Sequence, residues 1–222
     1  MQVTSSVHAS WQDRTHTVFS SGPLSPWHPS PFAAPLEPDG NHLEFSCAGQ
    51  YVIASKARLA RDAAALDAVL SCRPDCDLVT LASWADRTGN VDAFAPVTAL
   101  MRVIGDGVEV DPAVWRTVLP GVLFRANWCK FGAGEVGKEL DATGTSRLVF
   151  ADRDPLLGNG LSLVDPKVTD RQSWRGENLL GDALSETRVW RHQVNSDIDA
   201  DPYSDFDMWT REIVRPESAF RM

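Results

Sequence analysis

The sequence predicts a helix-rich α+β fold with a small β component, and three observations favour this class. Apolar residues recur at helical intervals over residues 57–70, 111–131 and 178–190. Strand-like segments are short and few, the clearest being residues 147–151. The chain has 222 residues and is 43% hydrophobic, which is enough for the core of a single domain.

The N-terminal half changes from turn-rich to helical near residue 48. Six prolines within residues 18–43 exclude a helix there and favour short strands joined by turns. One brief strand is predicted at 43–45, and residues 88–110 show no pattern that orders them. The helices predicted in this half cover residues 48–56, 57–70 and 77–87.

The C-terminal half contains the longest predicted helix. Asp111 is a favourable N-cap and Pro112 a favourable first helical residue, and the apolar pattern then runs to Phe131. Pro120 predicts a kink or break within this helix. The elements predicted after it are a helix at 135–141, a strand at 147–151, a glycine-bearing loop at 154–160 and a helix at 178–190.

These patterns divide the chain into three segments. Residues 1–17 are polar and predict a flexible N-terminus, and residues 18–193 are predicted to form the domain. Acidic residues are frequent from residue 195 onward, so residues 194–222 are predicted to be an acidic C-terminal extension rather than a second domain.

Charge and composition narrow the classes of partner. The net charge of −9 and the lack of a basic run argue against nucleic acid, which leaves a small-molecule substrate as the expected partner. No apolar run reaches the length of a membrane span, so no membrane association is expected. Residues 1–17 lack the apolar region of a secretory signal, and a cytoplasmic location is therefore expected.

The four cysteines do not form a recognisable metal site. Cys72 and Cys76 are spaced as C-x3-C, but two further ligands at zinc spacing are missing. We therefore expect no metal and no cofactor, and the simpler interpretation of all four cysteines is free thiols.

Six motifs along the chain resemble those of one protein family. Phe45, Tyr51, Ala54 and Lys56 match the pattern F-x-x-S-E-x-Y-x-x-A-x-K, in which Gly49 takes the position of the glutamate. The other five motifs are L-S-N-F-Y-P-x-P-F at 24–32, W…K-F at 115 and 130–131, L-x-x-T-G at 140–144, D-x-x-W-G-x-G at 154–160 and W-x-G-x-N-x-L-G at 174–181. Pro26 replaces the asparagine of the first of these five, and Leu157 replaces the tryptophan of the fourth. Over residues 18–190 the chain thus resembles the NADAR (YbiA-like) family.

This resemblance implies a YbiA-like fold and a class of reaction. Members of the family bind ADP-ribose-like or ribosylamino-pyrimidine compounds and hydrolyse the bond between ribose C1′ and a nitrogen. A lysine of the family has been linked to attack on the ring-opened sugar as a Schiff base. The resemblance therefore implies an N-glycosidase whose signature glutamate is missing at Gly49.

Cleavage of an N-glycoside needs an anion near C1′, a proton for the departing nitrogen, and a water or nucleophile. Asp154 matches the family's carboxylate in the glycine-bearing loop, and Lys56 matches the lysine of the signature helix, so both are predicted to be catalytic. The simpler alternatives are an Asx-turn for Asp154 and an ordinary surface or ion-paired lysine for Lys56.

Three residues could compensate for the missing glutamate. Glu44 lies shortly before Gly49, Cys47 could act as a nucleophile if its pKa were lowered, and Glu177 adds a carboxylate beside Asn178. The simpler interpretations are inert packing for Cys47 and a favourable charge at a helix N-terminus for Glu177.

The predicted substrate-binding residues are aromatic rings that could stack on a base and polar groups that could hold phosphate or ribose. Among them, Lys130 and Arg175 are the candidates for phosphate contacts. The full set is Trp27, Tyr51, Trp115, Lys130, Phe131, Asn159, Trp174, Arg175 and Asn178.

Three functions remain open at this point. The first is an N-glycosidase that acts on a phosphoribosylated or ADP-ribosylated small molecule. The second is a diverged enzyme that uses the same pocket for lysine-imine, cyclisation or dehydration chemistry in specialised metabolism. The third is a non-catalytic module that binds ADP-ribose or a nucleotide.

Overall fold

A computed structural model describes residues 10–13, 15–37, 40–72, 97–132 and 135–196. The strands are β1 (Ser10–Gln12), β2 (His16–Phe19), β3 (Phe32–Pro35), β4 (His42–Phe45) and β5 (Arg147–Phe150). The helices are α1 (Ala48–Ala60), α2 (Ala63–Ser71), α3 (Val97–Gly107), α4 (Pro112–Phe131), α5 (Glu135–Asp141) and α6 (Leu179–Ser196), with a 3-10 turn at Arg171–Ser173. The prediction of a helix-rich α+β fold with a small β component is confirmed.

The larger sheet has β2 at its centre, antiparallel to β1 and parallel to β5. A flexible N-terminus was predicted over residues 1–17, but β1 and the start of β2 lie in its second half, while residues 1–9 are outside the described residues. These strands lie in a polar segment and give no local pattern, because β2 is stabilised by pairing with β5, about 130 residues away. A hydrogen bond between Thr17 Oγ1 and Ser146 Oγ, at 2.6 Å, lies at this pairing. The predicted extension over residues 194–222 falls mostly outside the described residues, although α6 continues to Ser196.

Two helix predictions change in their boundaries. The break expected at residue 57 occurs at Arg61, which has a left-handed φ of 58°, and Asp62 then caps α2 by accepting a hydrogen bond from Ala65 N at 2.9 Å. Residues 88–110, which showed no pattern, include α3. The helix predicted over 77–87 lies outside the described residues.

Helix α4 begins as the sequence predicts. The Asp111 carboxylate accepts hydrogen bonds from Ala113 N at 2.8 Å and Val114 N at 3.1 Å. The helix then runs through Pro120 to Phe131, so the break expected at Pro120 does not occur. Because Pro120 and Arg116 are both exposed, water can satisfy the carbonyl that loses its intrahelical partner.

The core forms around α4. This helix packs against α6 and α1, and α1 packs in turn against α2 and α3. The sheet separates two apolar clusters: Phe19 and Phe150 face the helices, while Val18 and Val149 face the loop that precedes α6. None of the helices in the described ranges is long and apolar enough to cross a membrane.

Asn178 joins the larger sheet to α6. Its side chain is 0% exposed; Oδ1 accepts a hydrogen bond from Phe150 N at 2.8 Å, and Nδ2 donates to Leu148 O at 3.0 Å. The residue also has a φ of 59°, a conformation that asparagine and glycine adopt more readily than other residues. The Asn178 side chain therefore hydrogen-bonds to the backbone of β5 as a neighbouring strand would.

We expect Asn178→Ala to lower the free energy of unfolding by about 2–4 kcal/mol, because it leaves two buried backbone groups of β5 unpaired. Asn178→Gly tolerates the same φ without the side-chain bonds and should be destabilised less than the alanine variant. Urea unfolding of the three proteins measures the effect. Wild-type stability in the alanine variant would contradict this role.

Candidate functional site

The face of α1 that carries the signature residues lies against Trp27 and α3. Gly49 and Lys56 are seven residues apart, which places them on the same face of the helix. The benzene ring of Trp27 packs against Gly49, where a β-carbon would lie 2.5 Å from Cζ3 and 2.6 Å from Cε3 of the ring. The indole therefore fills the space that a glutamate at position 49 would need.

One hydrogen bond joins the loop of residues 22–28 to the start of α1, and another lies within the loop. Gly49 N donates to Pro26 O at 2.8 Å, and Trp27 N donates to Ser25 Oγ at 3.3 Å. The guanidinium carbon of Arg102, on α3, lies 4.6 Å from the centroid of the Trp27 ring. Trp27 is half-buried and Arg102 is exposed, so this cation–π pair borders solvent.

Lys56 lies where α1 contacts α3. Its half-buried side chain donates a hydrogen bond from Nζ to Gly105 O at 2.7 Å. Gly105 belongs to the last turn of α3, where a positive charge is favourable for the helix dipole. This contact gives Lys56 a structural role, and its catalytic role stays a prediction.

Asp154 forms an Asx-turn. Its Oδ1 accepts hydrogen bonds from Leu156 N and Leu157 N, both at 2.8 Å. The turn is docked on the start of α6, since Leu179 N donates to Leu156 O at 3.0 Å. Asp154 and Lys56 thus belong to different elements, and within the described ranges no hydrogen bond or ion pair joins them.

Lys130 has the most unusual environment of the four lysines, all of which the structure describes. Its side chain is 4% exposed, and Nζ donates to Ser25 O at 2.7 Å while lying 4.8 Å from the centroid of the Phe131 ring. Burial lowers the pKa of Lys130 from 10.5 to about 7, against a smaller opposing effect of the Cys47 thiol. A large fraction of this amine is therefore neutral near pH 7. Such a group suits nucleophilic or base chemistry better than the phosphate contact that the sequence predicted.

The three residues that could compensate for the glutamate occupy different surroundings. Cys47 is the N-cap of α1, and burial raises the pKa of its thiol, an effect that a hydrogen bond from the Gln50 backbone and the charge of Lys130 oppose. This thiol is therefore protonated near pH 7, which disfavours it as a nucleophile. Glu44 is exposed on β4, and Glu177 pairs with Arg116 at 2.9 Å.

Three of the predicted aromatic contacts lie in the core cluster. Tyr51 is 3% exposed, packs edge-on against Phe45 with ring centroids 5.0 Å apart, and donates from Oη to Pro35 O at 3.1 Å. Burial raises the pKa of Tyr51 to about 12. Phe131 is fully buried, and Trp115 is half-buried against the same cluster. These contacts account for the three residues as packing, and their substrate-binding roles stay predictions.

The loop before α6 brings the remaining predicted residues together. The buried Asn159 accepts from Leu161 N at 3.0 Å and donates to Val168 O at 3.1 Å. Trp174 donates from Nε1 to the same carbonyl at 2.9 Å, and the Arg147 guanidinium carbon lies 5.1 Å from its ring centroid. Arg175 is exposed beside them. This group is separate from Lys130, which lies at the other end of α4 from the Glu177–Arg116 pair.

Sequence reasoning missed several polar residues near Lys130. Arg125 and Asn127 are buried in the second half of α4, and Arg125 hydrogen-bonds to Tyr51. Asn127 donates from Nδ2 to Leu123 O at 2.8 Å, while its Oδ1 has no hydrogen-bond partner among the described residues. The sequence could have indicated these two buried residues, because they interrupt an otherwise apolar helical run and buried polar side chains are usually hydrogen-bonded. Arg102 gave no signal, because its segment showed no pattern.

No metal site is formed by the residues that the structure places, since they contain no group of three or more His, Cys, Asp or Glu side chains arranged to hold an ion.

The chain was compared with models of protein families and with curated proteins. A model of the NADAR domain matches residues 11–190 of this 222-residue chain. A search of curated proteins finds no match. The NADAR domain is associated with N-glycosidase-like hydrolase activity, which agrees with the class that the motifs imply. Because the match covers most of the chain, from β1 to the middle of α6, this protein is a member of the NADAR domain family.

Proposed function

We propose that this protein hydrolyses the bond between ribose C1′ and a nitrogen in a phosphoribosylated or ADP-ribosylated small molecule. The observation that carries the proposal is the buried amine of Lys130, which is partly neutral near pH 7. Catalytic lysines acquire this property through desolvation. Membership of the NADAR family supports the reaction class.

The proposed reaction uses Lys130 as a covalent nucleophile. Opening of the ribose ring, with a proton from solvent taken up at O4′, leaves an iminium between C1′ and the departing nitrogen. The neutral Nζ adds to C1′, one of its protons passes to the departing nitrogen, and the C1′–N bond to the base breaks, which leaves a protonated lysine imine. Water then adds to this imine, which releases the sugar aldehyde, regenerates the amine and returns one proton to solvent. In sum, one water is consumed, and one amine and one sugar are formed.

Two features of the site constrain this scheme. The Ser25 carbonyl accepts the hydrogen bond of Nζ, so the loop of residues 22–28 has to shift when substrate binds. Asp154 lies in the loop docked on the start of α6, where Glu177 N donates to Pro155 O at 3.0 Å, and this loop is separate from Lys130. The scheme therefore gives Asp154 no step, and its catalytic role stays a prediction. Lys56 is the competing nucleophile, because it matches the signature of the family.

Borohydride trapping tests the proposal and separates the two lysines. The protein is incubated with a ribosylamino-pyrimidine phosphate and, in parallel, with an ADP-ribosylated nucleoside, and released base is measured by chromatography. We expect base release from one of them and, after borohydride reduction, a sugar adduct on the peptide that contains Lys130. Lys130→Met should lose both, whereas Lys56→Met should keep the adduct. Absence of base release from both substrates contradicts the function, and an adduct on Lys56 contradicts the assignment of Lys130.

One observation favours a second candidate function. Because the Trp27 ring fills the space of the signature glutamate, the same lysine could support a different imine reaction, such as cyclisation or dehydration. Mass spectrometry of the trapping reactions distinguishes the two: loss of substrate without release of the base favours the converted chemistry. A non-catalytic binding module, by contrast, would bind the substrates, release no base and form no adduct that borohydride traps.

A further inference from the structure

We propose that the Trp27 indole stabilises the positively charged sugar in this protein, at the position where the family signature places a carboxylate. This inference rests on the proposed function, because cleavage of an N-glycoside develops positive charge at C1′. A carboxylate meets that charge with an anion. An indole ring meets it with the negative face of its π-system, which also attracts cations.

The Trp27 ring lies at the position of the missing side chain on Gly49. A β-carbon on Gly49 would lie within 3.0 Å of three atoms of the Trp27 benzene ring, so this glycine and this tryptophan fit together as a pair. Lys56 lies on the same face of α1. The ring therefore occupies the place where the signature has a carboxylate, on the face of α1 that carries the lysine of that signature two turns further on.

A cation already lies against the Trp27 ring. The Arg102 guanidinium carbon lies 4.6 Å from the Trp27 centroid, which is within the range of a cation–π contact. The ring thus presents a face that accepts a positive charge. Arg102 is exposed, and within the described part of the chain its guanidinium has no other partner. A ligand cation would compete with Arg102 for this face of the ring.

A purely structural role for Trp27 makes a different prediction. A tryptophan that only fills the volume beside Gly49 would bind charged and neutral sugars alike. A ring that stabilises charge would prefer a cationic sugar mimic, and Arg102 would compete with that mimic for the ring. Removing the ring and removing Arg102 should then have opposite effects on binding.

The probes are 1-amino-1-deoxyribitol, an open-chain sugar whose amine on C1 is protonated near neutral pH, and ribitol, its neutral counterpart. Calorimetric titration of the full-length protein measures both affinities. We expect the cationic probe to bind more tightly, and Trp27→Leu to weaken it by roughly 2-fold to 30-fold. The affinity of Trp27→Phe for the cationic probe should fall between those of the wild type and of Trp27→Leu. Arg102→Gln should tighten the cationic probe a few-fold, while Arg102→Lys, which keeps the competing charge, should not.

The double variant Trp27→Leu/Arg102→Gln separates the ring from simple charge repulsion. If Arg102 acts through the ring, its removal gives no gain once Trp27 is leucine; if it acts only by repulsion, the gain persists and the inference is overturned. Equal responses of the cationic and neutral probes, or no binding of the cationic probe to the wild type and to Arg102→Gln, also overturn it. If the probes bind as expected but no base is released, the proposed hydrolysis is rejected and the role of Trp27 is kept. Base release with unresponsive binding rejects the role of Trp27 alone.

Discussion

Replacing Lys130 by methionine should stabilise the protein at pH 7 while abolishing turnover. Burial lowers the pKa of Lys130 from 10.5 to about 7, so holding the protonated amine in the folded state costs up to about 5 kcal/mol at about 1.4 kcal/mol per unit. Methionine carries no such cost but leaves the Ser25 carbonyl without its donor, a loss of about 1–3 kcal/mol. We therefore expect a net gain of about 2–4 kcal/mol. A residue that lowers stability and is needed for activity is typical of functional sites.

The pH dependence of this gain has a definite sign. Between about pH 7 and pH 10.5 the unfolded state holds the Lys130 proton and the folded state does not, so wild-type stability rises with pH in this window. The advantage of Lys130→Met should therefore be largest at or below pH 7, shrink as the pH rises, and reverse by about 1 kcal/mol near pH 10. Urea unfolding of both proteins from pH 6 to pH 10 measures the difference.

Lys56→Met is the matched control for this comparison. It removes the hydrogen bond from a half-buried ammonium to Gly105 O and should lower the free energy of unfolding at pH 7 by about 1–2 kcal/mol. A destabilised Lys130→Met with the same pH dependence as the wild type would show that Lys130 is an ordinary charged lysine.

Gly49→Ala should destabilise the protein, although the same change in most helices is stabilising. An added methyl group would meet the Trp27 ring at 2.5 Å, and overpacking of this kind costs about 1–3 kcal/mol. Gly107, at the end of α3, has nothing within 4 Å of an added β-carbon. Gly107→Ala should therefore be neutral or stabilising by up to about 1 kcal/mol. Thermal or urea unfolding that shows the same effect for both alanine variants would contradict the packing of Trp27 on Gly49.

Restoring the signature glutamate extends this prediction. Gly49→Glu alone should cost about 3–5 kcal/mol, because a larger side chain collides with the indole and a carboxylate is buried. Trp27→Ala/Gly49→Glu should recover at least about 1.5 kcal/mol relative to the sum of the single changes, because the cavity of one variant receives the side chain of the other. A test of restored glycosidase activity therefore needs the double variant.

Local chemistry accounts for the parts of the fold that the sequence predicted. The Asp111–Pro112 cap starts α4, and α5 follows its predicted boundaries of 135–141, because both depend on residues close in sequence. Strand β2 depends on pairing with β5, and α3 continues through Gly105 despite the cost of glycine in a helix. Such tertiary effects leave no local pattern.

The same distinction applies to the site. The motifs identified Gly49, Lys56 and Lys130 as positions of interest, because each matches or breaks the pattern of the NADAR family. The environment of each depends on contacts between distant segments. Trp27 meets Gly49, and the Ser25 carbonyl meets Lys130, only after the loop of residues 22–28 has folded onto α1. The greater burial of Lys130 is what distinguishes it from Lys56, and the sequence could not predict this difference.

Titration of Lys130 by NMR tests the central claim most directly. The protein contains four lysines, so ¹³Cε-labelled lysine gives few signals, and the one missing from the Lys130→Met spectrum identifies Lys130. Its chemical shift, followed from pH 5 to pH 11, should change with a midpoint near pH 7. A midpoint near the ordinary lysine value of 10.5 would contradict the claim that this protein holds a neutral amine ready for chemistry.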